Sequence, residues 1–153
     1  MIFLRHFTKS DAETIQTLMY PGLSSEETDK MLGEWDECSY QGKYFEMFAI
    51  EANGRIVGNA SLMEKSEQIV SLGIEVFPNE RRKGYAYQAM TQLCKLVAGK
   101  GYKIALDQIR TDNIASFKLH EKLGFGSTGN IIRNSKGNEV FLYAKVISES
   151  EGS

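Results

Sequence analysis

The segment NERRKGYAYQAM, residues 79–90, combines cations, a glycine and the start of a helix. Arg81, Arg82 and Lys83 are consecutive and lead directly into Gly84. The first N–H groups of a helix have no partners within it, and the helix dipole places partial positive charge at the same end. Phosphate or pyrophosphate is therefore the expected ligand. The alternative is a solvated basic loop before a surface helix.

The pattern around this segment predicts a strand before it and a helix after it. The strand QIVSLGIEVF ends at Pro78, and its alternation places Ile74 and Val76 on one face and Glu75 on the other. Apolar residues at helical spacing predict the helix from about residue 83 to 97. A strand, a tight loop and a helix start would direct several backbone N–H groups at one point.

The rest of the chain predicts a single mixed α/β domain. Its element order is β-α-α-β-β-β-α-β-α-β-β over residues 1–147, followed by a polar tail, 148–153. Ser24 or Ser25 is expected to cap the second helix. Asn-Gly at 53–54 predicts a hairpin turn. Asp112, or alternatively Asn113, is expected to cap a helix over residues 113–123 that ends before a glycine.

Composition and charge exclude several classes of function. The chain has 153 residues and a formal net charge of −2, so it has no excess of cations for binding nucleic acid. No apolar run is long enough for a membrane span or a signal peptide, so we expect a cytoplasmic protein. Cys38 and Cys94 lack metal or redox spacing, and no cluster of metal-ligating residues predicts a metal site.

Two motifs resemble those of the GCN5-related N-acetyltransferases (GNAT family). R-x-x-G-x-A, from Arg81 to Ala86, resembles the family pattern Q/R-x-x-G-x-G/A, whereas the P-loop and dinucleotide fingerprints are absent. About thirty residues later, DNIASFKLHEKLGF is similar to the family element N-x-x-A/S-x-x-x-Y-x-x-x-G-F. The resemblance implies the acyl-CoA N-acyltransferase (GNAT) fold, a mixed, mostly antiparallel sheet flanked by helices. It also implies acetyl-CoA as cosubstrate and direct transfer to a primary amine in a ternary complex.

The resemblance assigns cofactor-binding roles to three parts of the chain. The pyrophosphate would bind at the loop and helix start, formed by Arg81, Arg82, Lys83, Gly84, Tyr85, Ala86 and Tyr87. The main chain near Ile74 and Val76 would bond the pantetheine amides. Asn113 and Ser116 match the second motif, and with His120 they fall on one helix face, expected to look towards the cofactor.

The catalytic residues are where the chain departs from the family pattern. His120 occupies the usual tyrosine position, so by resemblance it would protonate the departing thiolate; alternatively it packs on its helix face and bonds a carbonyl. The positions where family members carry a glutamate base correspond here to Ser71 and Gln108. Glu75 is then the first candidate for the base, with Asp107 or water as alternatives, unless Glu75 forms a structural salt bridge.

By resemblance, the acceptor would be an amine of a small molecule or a peptide. Residues 24–38 carry six acids and one base beside Trp35 and Tyr40, and by resemblance this second helix walls the acceptor pocket. An acidic wall with an aromatic would attract a cationic amine, whereas the alternative is a solvated helix face. We expect a monomer or a homodimer. Two competing hypotheses are a non-catalytic acyl-CoA-binding sensor or interaction module and a structural domain that binds no coenzyme A.

Overall fold

Strands and helices follow the predicted order in the computed structural model, which describes residues 1–148. The strands are β1 (Ile2–Arg5), β2 (Ser39–Tyr40), β3 (Lys43–Ala52), β4 (Arg55–Glu64), β5 (Ile69–Val76), β6 (Ile104–Arg110), β7 (Gly126–Arg133) and β8 (Glu139–Val146). The α-helices are α1 (Ala12–Thr14), α2 (Ser25–Asp36), α3 (Tyr85–Gly99) and α4 (Ile114–Lys122). The short strand β2 was not expected. The predicted fold class, a mostly antiparallel mixed sheet with flanking helices, is confirmed.

The chain divides into two compact units. Unit 1 contains residues 1–63 and 74–89, and unit 2 contains residues 64–73 and those from 90 onward. Strand β5 and helix α3 each begin in one unit and end in the other. That residues 1–147 form one domain stays a prediction, and the predicted tail lies outside the described residues after Ser148.

In unit 1 the strands follow one another in the order β1-β3-β4-β5, with β2 paired to β3. The β3–β4 hairpin is closed by residues 53–54, which have φ of 52° and 77°. Two left-handed residues are what a two-residue hairpin turn of type I′ requires. The predicted Asn-Gly turn is therefore confirmed, and it places Arg55 directly opposite Ala52 at the start of β4.

The helical layer of unit 1 packs on one face of these strands. Its core contains Phe7, Ile15, Leu32 and Ala49, and Trp35 packs against this cluster with its ring 5.3 Å from that of Phe7. Helix α2 begins as predicted after a serine cap: the Ser24 hydroxyl accepts from the Glu27 N–H, and the Glu27 carboxylate accepts from the Ser24 N–H. This reciprocal capping box fixes the first turn of α2.

In unit 2 the strand order is β5-β6-β8-β7. Strands β5 and β6 pair in parallel, whereas β6–β8 and β8–β7 pair antiparallel. Phe117 of α4 stacks on Tyr143 of β8 at 5.8 Å, and Gly124, with φ of 92°, ends the helix as predicted. The stacked rings place α4 beside β8.

Candidate active site

The basic loop in unit 1 has the backbone shape of an anion site. After β5, Pro78–Glu80 forms one 3₁₀ turn, and α3 begins at Tyr85, two residues later than expected. Between them, Arg82 has φ of 66° and Gly84 has φ of 81°. Successive residues that alternate in the sign of φ turn their N–H groups into a shared concavity, which favours an anion. The N-terminus of the 15-residue α3 adds the backbone N–H groups of its first turn.

The three cations of this loop differ in what they contact. Arg81 Nε donates to the carbonyl oxygen of Val76 at 3.1 Å, and Lys83 Nζ donates to Glu80 Oε1 at 3.1 Å. Within residues 1–148, Arg82 has no hydrogen bond or ion pair. The guanidinium of Arg82 is therefore the one of the three that is uncommitted.

The remaining loop residues differ in exposure. Gly84 is exposed, Ala86 is half-buried, Tyr85 is buried and Tyr87 is 37% exposed. A Cβ atom built on Gly84 would meet only Gln88 Nε2, at 3.9 Å, so the space in front of the glycine is open. The loop therefore offers backbone N–H groups without a side chain in the way.

An ion pair that the sequence did not indicate holds this loop. Arg55 at the start of β4 donates from Nε to Glu80 Oε2 at 2.9 Å and from Nη2 to Glu80 Oε1 at 3.0 Å. The hydrogen bond from Arg55 lowers the pKa of the Glu80 carboxyl. No sequence signal links residues 25 positions apart, because their pairing depends on which strand lies beside the loop.

Glu75 is an exposed carboxylate on β5, near Tyr20. In the part of the chain that the structure describes, the Glu75 carboxylate has no hydrogen bond or ion pair, so the salt bridge considered for it is not found. Burial and, less strongly, the charge of Glu75 raise the pKa of the Tyr20 hydroxyl. Ile74 and Val76, on the opposite face of the strand, are half-buried.

Gly58 allows β4 to approach the peptide that follows Glu75. A Cβ atom on Gly58 would lie 2.1 Å from the Glu75 carbonyl oxygen and 3.0 Å from the Cα atom of Val76. A contact of 2.1 Å with main chain cannot be relieved by a rotamer change, so the position requires glycine. Gly58 therefore sets the placement of the main chain at Glu75 and Val76.

In unit 2, Asn113 rather than Asp112 caps helix α4. Asn113 Oδ1 accepts from the Ser116 N–H at 3.2 Å, while Asp112 is exposed and pairs with Arg110 at 3.3 Å. The prediction of Asp112 as the cap was wrong, and the alternative of Asn113 as the cap is confirmed. Asp112 and Asn113 are adjacent and share the same capping chemistry, and the position of the backbone decides which of them caps the helix.

His120 and Asp107 form a buried pair between α4 and β6. His120 Nε2 lies 2.5 Å from Asp107 Oδ2, and His120 Nδ1 donates to the Ser116 carbonyl oxygen at 2.7 Å. Asp107 Oδ1 accepts from the Gln108 N–H at 2.7 Å. A carbonyl oxygen only accepts hydrogen bonds, so Nδ1 of His120 carries a proton. A second proton lies in the short contact between His120 Nε2 and Asp107 Oδ2. His120 is 4% exposed and Asp107 8% exposed.

The pair changes the acid–base properties of both groups. Burial raises the pKa of Asp107, against the opposing effect of His120. Burial acts to lower the pKa of His120, but the hydrogen bond and charge of Asp107 outweigh it and raise that pKa. Each group therefore holds its proton to higher pH than it would in water. The bond from His120 to a carbonyl was the alternative considered for this residue, and the carboxylate partner was not foreseen.

The acidic face of α2 is exposed, but its tryptophan is not part of that face. All six acids of residues 24–38 are solvent-exposed, whereas Trp35 packs against the core of unit 1. Tyr40 is 49% exposed and lies 5.8 Å from the ring of Phe45. Charge, rather than Trp35, is what this face offers to a ligand.

In residues 1–148, no group of three or more His, Cys, Asp and Glu side chains has the geometry to hold a metal ion. None of the described helices combines the length and apolar character needed to cross a membrane.

Comparison with known proteins connects these features to a family. A family model described as an acetyltransferase (GNAT) domain matches residues 2–126. A search of curated protein sequences finds no significant match.

Solved structures share the fold at low sequence identity. A spermidine N-acetyltransferase from Vibrio cholerae, in complex with CoA and spermine, is 17% identical with a TM-score of 0.78, over 97% of this chain and 96% of that one. A ribosomal-protein α-N-acetyltransferase in complex with coenzyme A is 20% identical with a TM-score of 0.79, over 97% and 95%. An N-acetyltransferase from Staphylococcus aureus Mu50 is 20% identical with a TM-score of 0.74, over 97% and 99%.

Proposed function

Because the chain belongs to the GNAT acetyltransferase family, we propose that it transfers an acetyl group from acetyl-CoA to a primary amine. The observation that carries this proposal is the loop from Arg81 to Tyr87. Its left-handed residues, its open glycine and the start of α3 provide a backbone site for a diphosphate. Two of the structures similar in fold are in complex with CoA, which supports the same ligand here.

The loop residues would bind acetyl-CoA mainly through main chain. The N–H groups of Arg82, Gly84, Ala86 and Tyr87 would face the pyrophosphate, and the uncommitted Arg82 guanidinium would add a charge-assisted bond. The main chain near Ile74 and Val76, and the α4 residues Asn113 and Ser116, remain proposed contacts. Arg81 and Lys83 would act through the shape of the loop, since both are already bonded within it.

Glu75 would serve as the general base. Its carboxylate is exposed and unbonded in the described residues, so it can accept a proton from an ammonium group, directly or through one water. The free amine then attacks the thioester carbonyl carbon in a ternary complex. The C–N bond forms and the C–S bond breaks. The nitrogen loses a second proton, which balances the proton that the departing thiolate takes up. Holding both substrates together lowers the entropic barrier to this step.

His120 remains a proposed proton donor to the thiolate, but Asp107 is a weaker candidate for the base. The Asp107 carboxylate is buried and already bonded to His120 and to a main-chain N–H. A base must reach the substrate proton, which an exposed side chain does more readily. Glu75 is therefore the preferred base.

The acceptor would be a cationic amine of a small molecule or a peptide. The exposed acids of α2 would attract positive charge, and Tyr20 and Tyr40 are exposed aromatics in the same unit. The similar structures include an enzyme of spermidine and an enzyme of a ribosomal protein, and these are the two acceptor classes to test first. We further propose a metal-free reaction, a cytoplasmic location and a monomer or homodimer.

A non-catalytic acyl-CoA sensor is the second candidate function. The observation that favours it is the burial of His120 against Asp107, which leaves no exposed acid at the position of the family tyrosine. A sensor would bind acetyl-CoA and release no thiol with any amine. An enzyme would release free thiol in proportion to the amount of its acceptor amine that is acetylated.

Calorimetry of acetyl-CoA binding tests the proposed ligand site. Gly84→Asp and Ala86→Glu place a carboxylate in the proposed anion site and should abolish binding. Gly42→Asp is the matched control, because Gly42 also has positive φ, 77°, and open space, and it lies in the β2–β3 turn. Unchanged binding in folded Gly84→Asp and Ala86→Glu proteins would refute the site. Thiol release with polyamines and peptide amines then separates enzyme from sensor.

A further inference from the structure

The ion pair between Arg55 and Glu80 joins the β3–β4 hairpin to the anion-binding loop. Arg55 follows the hairpin turn directly, and Glu80 ends the 3₁₀ turn that precedes the loop. Both nitrogens on one edge of the guanidinium bond the two carboxylate oxygens, at 2.9 and 3.0 Å. We propose that this pair positions the loop for the pyrophosphate of acetyl-CoA, an inference that rests on the proposed function.

The geometry distinguishes this contact from an ordinary surface ion pair. Isolated exposed pairs contribute little, whereas two-point bonding between a guanidinium and a carboxylate adds strength and fixes direction. The Glu80 side chain is only 14% exposed, and Lys83 Nζ bonds the same carboxylate. The Tyr85 hydroxyl is a further polar neighbour of the Arg55 guanidinium. Arg55 therefore interacts with residues at both ends of the loop.

The loop needs such support because Arg82 is left-handed. A residue with a Cβ atom at φ of 66° is uncommon, and such a conformation persists only where the surroundings impose it. Glu80, two residues before Arg82, is held by Arg55, and Lys83, one residue after, is held by Glu80. Arg81 is bonded to the Val76 carbonyl oxygen. The bonds on both sides of Arg82 thus hold it in the left-handed conformation that forms the concavity.

The same pair also removes an electrostatic obstacle. Glu80 places a negative charge three residues from Lys83, next to a proposed site for an anion. Arg55 and Lys83 together compensate that charge, so the carboxylate orients the loop without repelling a phosphate. Arg55 would therefore act at a distance from the ligand, as a positioning residue.

Arg55→Met and Glu80→Gln test this role by removing charge while keeping side-chain length. Acetyl-CoA dissociation constants, from calorimetry, should rise about tenfold in each single variant, equal to about 1.4 kcal/mol, and little further in the double variant. Arg55→Lys, which keeps the charge and loses the fork, should fall between wild type and Arg55→Met. Glu51→Gln is the control, because it removes an arginine–glutamate contact of 3.1 Å elsewhere in unit 1.

Acetyl-pantetheine, which lacks the pyrophosphate, separates positioning from general damage. If the pair acts on the pyrophosphate site, kcat/KM for acetyl-pantetheine should be unchanged in Arg55→Met and Glu80→Gln while KM for acetyl-CoA rises. A parallel loss with both donors would overturn the proposal, as would wild-type affinity for acetyl-CoA in both folded variants. If the wild-type protein itself binds no acetyl-CoA, the proposed function fails and this inference fails with it.

Discussion

Asp107→Asn should reverse the direction in which the free energy of unfolding changes with pH near neutrality. In the wild-type protein His120 is buried against the Asp107 carboxylate at 2.5 Å, and its pKa is raised above 6.5. The substitution keeps the size of the side chain and removes its charge. Burial, which lowers the pKa of His120, then becomes the main influence on it.

The sign follows from which state binds the proton more tightly. Because the folded pKa of His120 is raised, its contribution to stability is present below pH 6.5 and is lost as pH rises through the folded pKa. Burial raises the pKa of Asp107 from 3.8, so its contribution to stability is also lost as pH rises. That loss begins at a lower pH than the loss from His120. In Asp107→Asn the folded pKa of His120 falls below 6.5, so stability should increase as pH rises through that region.

The size of the effect is measurable. When the folded and unfolded states differ by one bound proton, the free energy of unfolding changes by at most about 1.4 kcal/mol per pH unit. Removing one partner of a buried pair costs about 3–5 kcal/mol when the remaining charge persists. His120 can release its proton in the variant, so we expect a loss of about 2–3 kcal/mol at pH 6 and about 1 kcal/mol at pH 8.

Urea unfolding of both proteins from pH 5.5 to 8.5 provides the assay. The difference between the two curves cancels the contributions of the other titratable groups, which are common to both. Trp35 fluorescence reports on unit 1, and coincidence with far-UV circular dichroism checks that unfolding is two-state. Equal m-values are required for the comparison. Parallel stability curves across this range would refute the assigned pairing of His120 with Asp107.

Three further predictions, for Glu75, His120 and Gly58, test the proposed chemistry and its support. Glu75→Gln should lower kcat by about 10²-fold or more near neutral pH, with a smaller loss at high pH where free amine already exists; a wild-type pH–rate profile would exclude Glu75 as the base. His120→Ala should lower kcat while acetyl-CoA affinity is retained, and His120→Tyr should keep much of the activity. If His120 is purely structural, His120→Ala should instead have a lower Tm and unchanged turnover per folded molecule. Gly58→Ala should destabilise the fold by about 1–3 kcal/mol, because its Cβ atom would meet main chain at 2.1 Å, whereas Gly33→Ala on the exposed face of α2 should not. Urea unfolding of both glycine variants checks the difference.

The features that the sequence predicted well depend on residues close together in the chain. The Asn-Gly turn at 53–54, the Ser24 cap and the glycine stop at Gly124 are each decided within about four residues. Their chemistry is local, so the residue types are sufficient to place them. The same locality made the R-x-x-G-x-A loop recognisable, because its backbone shape depends on Gly84 and on the helix that follows.

Predictions failed where neighbouring residues share one chemistry or where a contact joins distant elements. Asp112 and Asn113 are both good caps, and only the backbone angles decide between them. Trp35 has an aromatic ring beside acids in sequence, yet the helix turns that ring towards Phe7. Arg55 and Glu80 carry no motif, because their pairing follows from the placement of β4 beside the loop.

The pairing of His120 with Asp107 shows how such a distant contact changes the chemistry assigned to each residue. Considered singly, the imidazole is a candidate acid and the carboxylate a candidate base. In the structure the two groups are buried and lie 2.5 Å apart, so each bonds to the atom through which the other would exchange a proton. The pKa values of both groups are raised, so both hold a proton to higher pH than they would in water. The Glu75 carboxylate, by contrast, is exposed and has no hydrogen bond within residues 1–148. Because a base must accept a proton from a solvated ammonium group, the exposed carboxylate is better suited to that step than the buried one.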